Sequence, residues 1–377
     1  MKKSIQWLIL FFAIVAVGMA GFMGVNFYID DSGYFAVERG ADSVDANGYT
    51  RAAKTKYLTK NADSYNAVVI GGSKAGVLST ERLSEYTGKN YYNFYVAYGC
   101  FSDYLTYISY LIDTLDLEEI TLHLSSIEVQ QYDRSSTNAI YEVPAMVNGN
   151  AVDVALETLN YLCRNIETSV AYALEDKSLR ANGMDSLQTG ERNYSYPYEL
   201  IQQDEESYVK KYVLPRYEKN LKRLFTEKAN TRAADKNIAA MRQIKTLCDE
   251  NDVTLKVVIG PTFLAELYKF EGEAYDSYLK ELVDITEIWD FSGMTPENRN
   301  PYNFINEGHY KNAVADLMVD TMYGKAQKEG FGILLTKENI GTYLQNRNST
   351  WETLKEEYEQ TGTVQLQTKD DDSYICG

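Results

Sequence analysis

Two lysines, Lys2 and Lys3, precede a run from Trp7 to Phe27 that carries no charged side chain, and this run constrains where the rest of the chain can fold. About 20 apolar residues rising ~1.5 Å each cross the hydrocarbon core of a bilayer. Asp30 and Asp31 follow, so the lysines mark the cytoplasmic side and the remaining chain is expected outside. Gly18 and Ala20 supply small residues of the kind a signal peptidase reads, but a cleavable apolar core usually spans only about 7–15 residues. Residues 1–30 are therefore expected to form an uncleaved transmembrane anchor.

Of the 377 residues 45% are hydrophobic and 24% charged, proportions of a globular chain. Lys plus Arg number 37 against 54 Asp plus Glu, a formal charge of −17. A surface so acidic repels phosphate backbones, which excludes nucleic-acid binding as the main function. Four cysteines, Cys100, Cys163, Cys248 and Cys376, form no CxxC pair, so neither a disulfide framework nor a structural zinc site is expected. The two histidines, His123 and His309, have no paired ligand motif around them, and no metal or other cofactor is implied.

Residues 31–64 read as a linker, with a short helix near Thr50–Lys60. Five short apolar runs follow: Ala67–Ile70, Tyr91–Val96, Ile120–Leu124, Leu255–Ile259 and Glu287–Phe291. Helical spacing separates them, over Tyr104–Leu115, Arg232–Cys248, Phe263–Val283 and His309–Tyr323. Strands alternating with helices predict an α/β domain over 65–337, a five-stranded parallel sheet with helices on both faces. Between Leu124 and Leu255 no convincing strand is found; residues from about 130 to 250 read as a helical insertion, with helices near Val152–Glu175 and Arg216–Glu227 and a polar break at Asn182–Tyr198. Residues 338–377 read as a polar tail, mobile around Thr368–Ser373.

The first apolar run ends in Ile70-Gly71-Gly72-Ser73-Lys74-Ala75-Gly76. A serine at the carboxyl end of a strand in an α/β sheet sits where such sheets bind ligands. A phosphate loop requires GxxxxGK[ST], and a dinucleotide fingerprint requires Gly in place of Ser73; neither fits. A GxSxG elbow nearly fits, but Ala75 replaces the last glycine. The remaining alternative is that Ser73 caps the following helix. The second block is Pro301–Tyr310, with His309 at the boundary between the fifth run and an apolar-periodic helix. A serine nucleophile needs a base for its proton, and Ser73 early with His309 late meets that need if both lie at one sheet edge. His123, inside an apolar strand, reads as a core histidine.

Taken together these blocks resemble the SGNH/GDSL hydrolase superfamily, over roughly residues 65–125 and 252–325. In that family a serine follows the first strand, a glycine after the second contributes an oxyanion donor, and a late DxxH supplies acid and base. Ser73, Gly99 in Val96-Ala97-Tyr98-Gly99-Cys100, and His309 stand at the matching positions. The resemblance implies a flavodoxin-like SGNH sheet, with the Ser73 and Gly99 amides as oxyanion donors. With an anchor and an outside location, the chain looks like the membrane-anchored SGNH-like proteins associated with membrane-bound O-acyltransferases in teichoic-acid D-alanylation and alginate acetylation. That likeness implies acyl transfer to or from a cell-envelope polysaccharide or teichoic acid.

The sequence departs from the family pattern in three places. Gly72 replaces the aspartate before the serine, Asn306 replaces the aspartate three positions before the histidine, and Leu124-Ser125-Ser126-Ile127-Glu128 contains no GxND. Asn306 can hold a ring nitrogen by hydrogen bond but not by charge; Glu307 is the nearest carboxylate that could orient His309, and Asp290 a more distant one. Ser125 or Ser126 could replace the missing oxyanion donor, and Lys74 is expected to be solvated. Two functional readings follow: a serine esterase or O-acyltransferase using Ser73 and His309, or a non-catalytic ectodomain that binds a glycan or assists a membrane acyltransferase.

Overall fold

The strand Ala67–Gly71 (β1) is buried at every position, and its side chains alternate between two cores. Val68 and Ile70 enter one apolar cluster, Ala67 and Val69 the other. This period of two lets a continuous apolar run sit at the centre of a sheet covered on both faces. The computed structural model describes residues 2–133, 139–174, 183–326 and 328–376. In it, β1 pairs in parallel with Tyr91–Tyr95 (β2) on one side and Glu119–Leu124 (β3) on the other. Thr254–Ile259 (β4) and Ile288–Asp290 (β5) extend the sheet in parallel beyond β3. A sixth strand, Ile333–Leu335 (β6), pairs antiparallel with β5 and gives the order β6-β5-β4-β3-β1-β2.

The sheet thus has six strands, not five. β6 is three residues long and only its last residue is buried, so it carries almost no apolar signature. One face is covered by the helices Phe101–Thr114, Ala234–Glu250 and Glu273–Ile285, through residues such as Tyr107, Met241 and Leu279. The opposite face is covered by Thr80–Thr87 and Asn312–Met322, through Leu83, Val314 and Met318. The order 2-1-3-4-5 of the parallel strands reverses direction at β1/β3, where open α/β sheets form a crevice at their carboxyl ends.

Several expected boundaries move. The expected helix Phe263–Val283 is a 3₁₀ segment, Leu264–Phe270, then a helix from Glu273, divided at Gly272 where φ is +104°. The expected linker holds the helix Thr50–Lys60 but also a strand, Ser43–Asp45, which pairs with Met184–Ser186. Met184–Ser186 in turn pairs with Arg192–Asn193, so the insertion is not wholly helical. Glu175 and Asn182, which bound two of the expected segments, lie outside the described residues. The expected polar tail is instead a helix, Ile340–Thr361, that packs Leu344 and Leu354 on the core, followed by a docked end: Asn300 donates to Thr368 O and Ser373 Oγ, and Asn303 accepts from the Ile375 amide. Buried amides need partners, and these two find them in the last residues of the chain.

At the other end, Lys2–Ile29 is one helix, with Trp7 and Val17 each 73% exposed. It is the one described helix long and apolar enough to cross a membrane. The cysteines are free, Cys100 and Cys248 buried, Cys163 and Cys376 exposed.

Candidate active site

Gly71 ends β1 against β3, where a Cβ would lie 2.5 Å from the carbonyl oxygen of His123; only glycine allows that approach. The chain then turns into a 3₁₀ segment, Ser73–Val77, with Ser73 as its first residue. Ser73 makes no capping bond; the following helix Thr80–Thr87 is capped by Ser79, whose hydroxyl accepts from the Arg82 amide. The Ser73 hydroxyl is instead 2.8 Å from Nε2 of His309, across 236 positions of sequence.

His309 does not begin a helix. It opens a two-residue strand, His309–Tyr310, that folds back on Phe304–Asn306, and the register sets His309 opposite Asn306. The Nδ1 of His309 is 3.0 Å from Oδ1 of Asn306. The same Oδ1 accepts from the Gly308 amide at 2.9 Å. A backbone N–H can only donate, so the amide atom it faces is the oxygen, and Nδ1 must carry the ring proton. Nε2 is then left with its lone pair toward Ser73 Oγ, the arrangement a general base requires.

Burial is the main force on the ring, followed by the charges of Arg192 and Lys74; together they lower the His309 pKa to about 3. A carboxylate would oppose this, and Asn306 has no charge to do so. The imidazole is accordingly neutral near neutral pH.

Glu307 does not orient His309. It stands in the turn that follows the strand Phe304–Asn306 and pairs there with Arg216 at 2.9 Å. Asp290 is also engaged elsewhere, accepting from the amide and hydroxyl of Ser292 and from the Tyr343 hydroxyl. Gly99 is not free to serve as an oxyanion donor: its amide donates to Val96 O at 2.8 Å. A Cβ there would lie 2.6 Å from the Tyr104 ring, so the glycine serves packing. Ser125 is likewise committed, its hydroxyl and amide both donating to Glu128.

A cavity of about 240 Å³ opens beside Ser73 and His309. Ala97, Tyr98 and Ser126 line it, in place of Gly99. Tyr98 is held with φ at +53°, a conformation rare for a non-glycine residue, and its ring packs on Tyr141 with centroids 4.9 Å apart. Lys74, Arg192 and Lys269 contribute cations to the lining; Lys269 pairs with Glu266, and Arg192 pairs with the buried Asp185 at 3.4 Å. Lys74 is not a solvated lysine: it donates to Thr262 Oγ1 at 3.2 Å, and burial, then repulsion from Lys269, lowers its pKa to about 8. Arg192 comes from the insertion and was missed in the sequence, because a two-residue strand has no pattern to detect. His123 is a core residue, Nε2 3.0 Å from the Tyr310 hydroxyl. Among the described residues no group of three His, Cys, Asp or Glu side chains could hold a metal.

No protein-family model matches the sequence, and neither does any curated protein.

Proposed function

We propose that this chain is a membrane-anchored, extracytoplasmic serine esterase or O-acyltransferase of SGNH type. The observation that carries the reading is the relay Ser73 Oγ, His309 Nε2, His309 Nδ1, Asn306 Oδ1, with contacts of 2.8 and 3.0 Å. The position of Ser73 after the first strand of a 2-1-3-4-5 sheet supports it, as in flavodoxin-like folds. The Lys2–Ile29 helix supports a single span with the α/β domain outside.

In the proposed reaction Ser73 Oγ attacks an acyl carbonyl while Nε2 of His309 takes its proton. The proton then passes from Nε2 to the leaving alkoxide, and an acyl-serine remains. Water or a hydroxyl of a cell-envelope polysaccharide or teichoic acid releases the acyl group, its proton returning through His309 to Ser73. Lys74, which rests on the Thr262 hydroxyl and not on a carboxylate, favours an anionic substrate, and a membrane-bound O-acyltransferase is the partner expected to share the acyl group.

The neutral Asn306 and the engaged Gly99 amide favour a second reading, a glycan-binding or accessory ectodomain without turnover. Fluorophosphonate labelling of the full chain separates the two. The enzyme reading expects rapid labelling that disappears in Ser73→Ala; a folded protein that does not label supports the accessory reading.

A further inference from the structure

Asn26 is the one polar side chain within the run Trp7–Phe27, and it is fully buried. Its amide donates to Leu162 O at 2.8 Å and to Arg164 O at 3.0 Å, and its Oδ1 accepts from Ser169 Oγ at 2.9 Å. Those partners belong to a helix pair, Ala151–Leu162 and Ile166–Ala173, and to the turn joining it. Asp30 accepts from the Tyr161 hydroxyl at 2.6 Å, and Asp31 pairs with Arg164, so the pair is clamped to the end of the apolar helix. Trp7 and Tyr28, both more than 70% exposed, stand about 30 Å apart along that helix at ~1.5 Å per residue. Aromatic residues with that separation mark the two interfaces of a bilayer. Asn26, half a turn from Tyr28, therefore fixes the helix pair at the outer interface.

The pair does not cover its own apolar face. Val152, Leu156 and Leu159 form an i, i+4, i+7 stripe with exposures of 65%, 53% and 43%, and Val170 on the second helix is 42% exposed. A stripe of this kind in water is a liability, and beside the end of a membrane span it has an occupant at hand. We infer that Ala151–Leu162 and Ile166–Ala173 lie in the outer leaflet, with Val152, Leu156, Leu159 and Val170 among the lipid acyl chains. The domain then has two attachments to the bilayer, a span and a flat apolar foot, which fix its height and tilt. A groove of about 660 Å³ lies between this foot and Tyr34, Tyr49 and Arg51, and its wall at Ile140 adjoins Tyr141 of the Ser73 cavity. The foot thus sets that groove at the membrane surface.

The inference rests on reading Lys2–Ile29 as a span, and the experiment separates the two. Nitroxide is attached to single cysteines at Leu156→Cys, Leu159→Cys, Phe12→Cys and Lys280→Cys, with the exposed Cys163 and Cys376 replaced by serine. The full chain is placed in phosphatidylcholine nanodiscs, and collision with oxygen and with a water-soluble nickel chelate is measured by power saturation. The labels at 156 and 159 are expected to show an oxygen-to-nickel ratio several-fold above that at 280, close to that at 12. Water-like ratios at 156 and 159 with a lipid-like ratio at 12 overturn the inference, and shielding from both reagents does so as well, since it indicates protein cover. A water-like ratio at 12 removes the span itself, and the foot with it.

Discussion

His309 and Asn306 face each other across the two-residue turn Glu307-Gly308, and the Gly308 amide closes the turn onto the same amide oxygen that holds the ring. A single oxygen thereby sets the hairpin, the tautomer and the direction of the Nε2 lone pair. In serine hydrolases with an acid at this position, replacing it by Asn costs on the order of 10⁴ in turnover, in large part through the wrong tautomer. In the proposed mechanism the Gly308 amide fixes the tautomer and avoids that loss, and only the missing charge remains.

Asn306→Asp is therefore expected to raise ester turnover about tenfold or more while staying well short of 10⁴. The added carboxylate also raises the His309 pKa from about 3. The base works only when neutral, so the wild-type rate has no acid limb from this group above about pH 4, whereas the variant loses activity as pH falls through its higher pKa. Rates on a chromogenic acetate ester between pH 4 and 8 check both points. Unchanged rate and profile would show that the ring is not the working base.

Lys74 gives a limb of opposite sign. Its pKa is lowered to about 8, so its charge is present below that value and lost as pH rises through it. If the cation attracts an anionic acyl acceptor, kcat/KM for a phosphate-bearing substrate falls above pH 8. In Lys74→Met the same parameter should be several-fold lower at pH 7 and flat to pH 9. For a neutral ester the two proteins should differ little.

What was legible in the sequence follows from burial. The five parallel strands are largely apolar or aromatic, so their positions, and with them Ser73 at the end of β1, could be read from Val, Ile and Leu in β1, β3 and β4 and from Tyr and Phe in β2. Bringing His309 to the same edge followed from strand–helix alternation alone. The local geometry at 304–310 could not be read that way. The residues Phe304–Tyr310 carry neither a period of two nor a helical period long enough to decide, and Gly308 was the available turn signal. The side Glu307 faces depended on that hairpin, as the role of Gly99 depended on where its amide points. Arg192 and β6 belong to elements of two and three residues, too short for any pattern.

Gly99→Ala tests the packing role of that residue. The new Cβ would meet the Tyr104 ring at 2.6 Å and Val96 O at 2.9 Å, and Tyr104 is fully buried with its hydroxyl on Glu128. Overpacking of this kind costs about 1–3 kcal/mol. Urea denaturation should show a loss in that range, with fluorophosphonate labelling of the folded variant falling less than the 10²–10³ expected for a lost oxyanion donor.

The expected boundary at residue 65 divides a unit that the structure joins. Arg51, on the helix Thr50–Lys60, donates to both oxygens of Asp103 at 2.9 and 3.2 Å and to Ala97 O at 2.8 Å, and both side chains are almost fully buried. Lys54, one turn on, donates to Gly190 O at 2.7 Å and pairs with Asp185 at 3.5 Å. Cutting the chain before residue 65 would remove Arg51 from Asp103, and removing one member of a buried pair costs about 3–5 kcal/mol. It would also free the Ala97 carbonyl beside Tyr98, whose left-handed backbone shapes the cavity next to Ser73. A chain beginning at residue 31 is expected to melt cooperatively, and one beginning at 65 to lack a cooperative transition. Within the full chain, Arg51→Met should lower stability by about 3–5 kcal/mol and slow the labelling of Ser73. Equal stability of the two truncated chains would show that residues 31–64 are a linker after all.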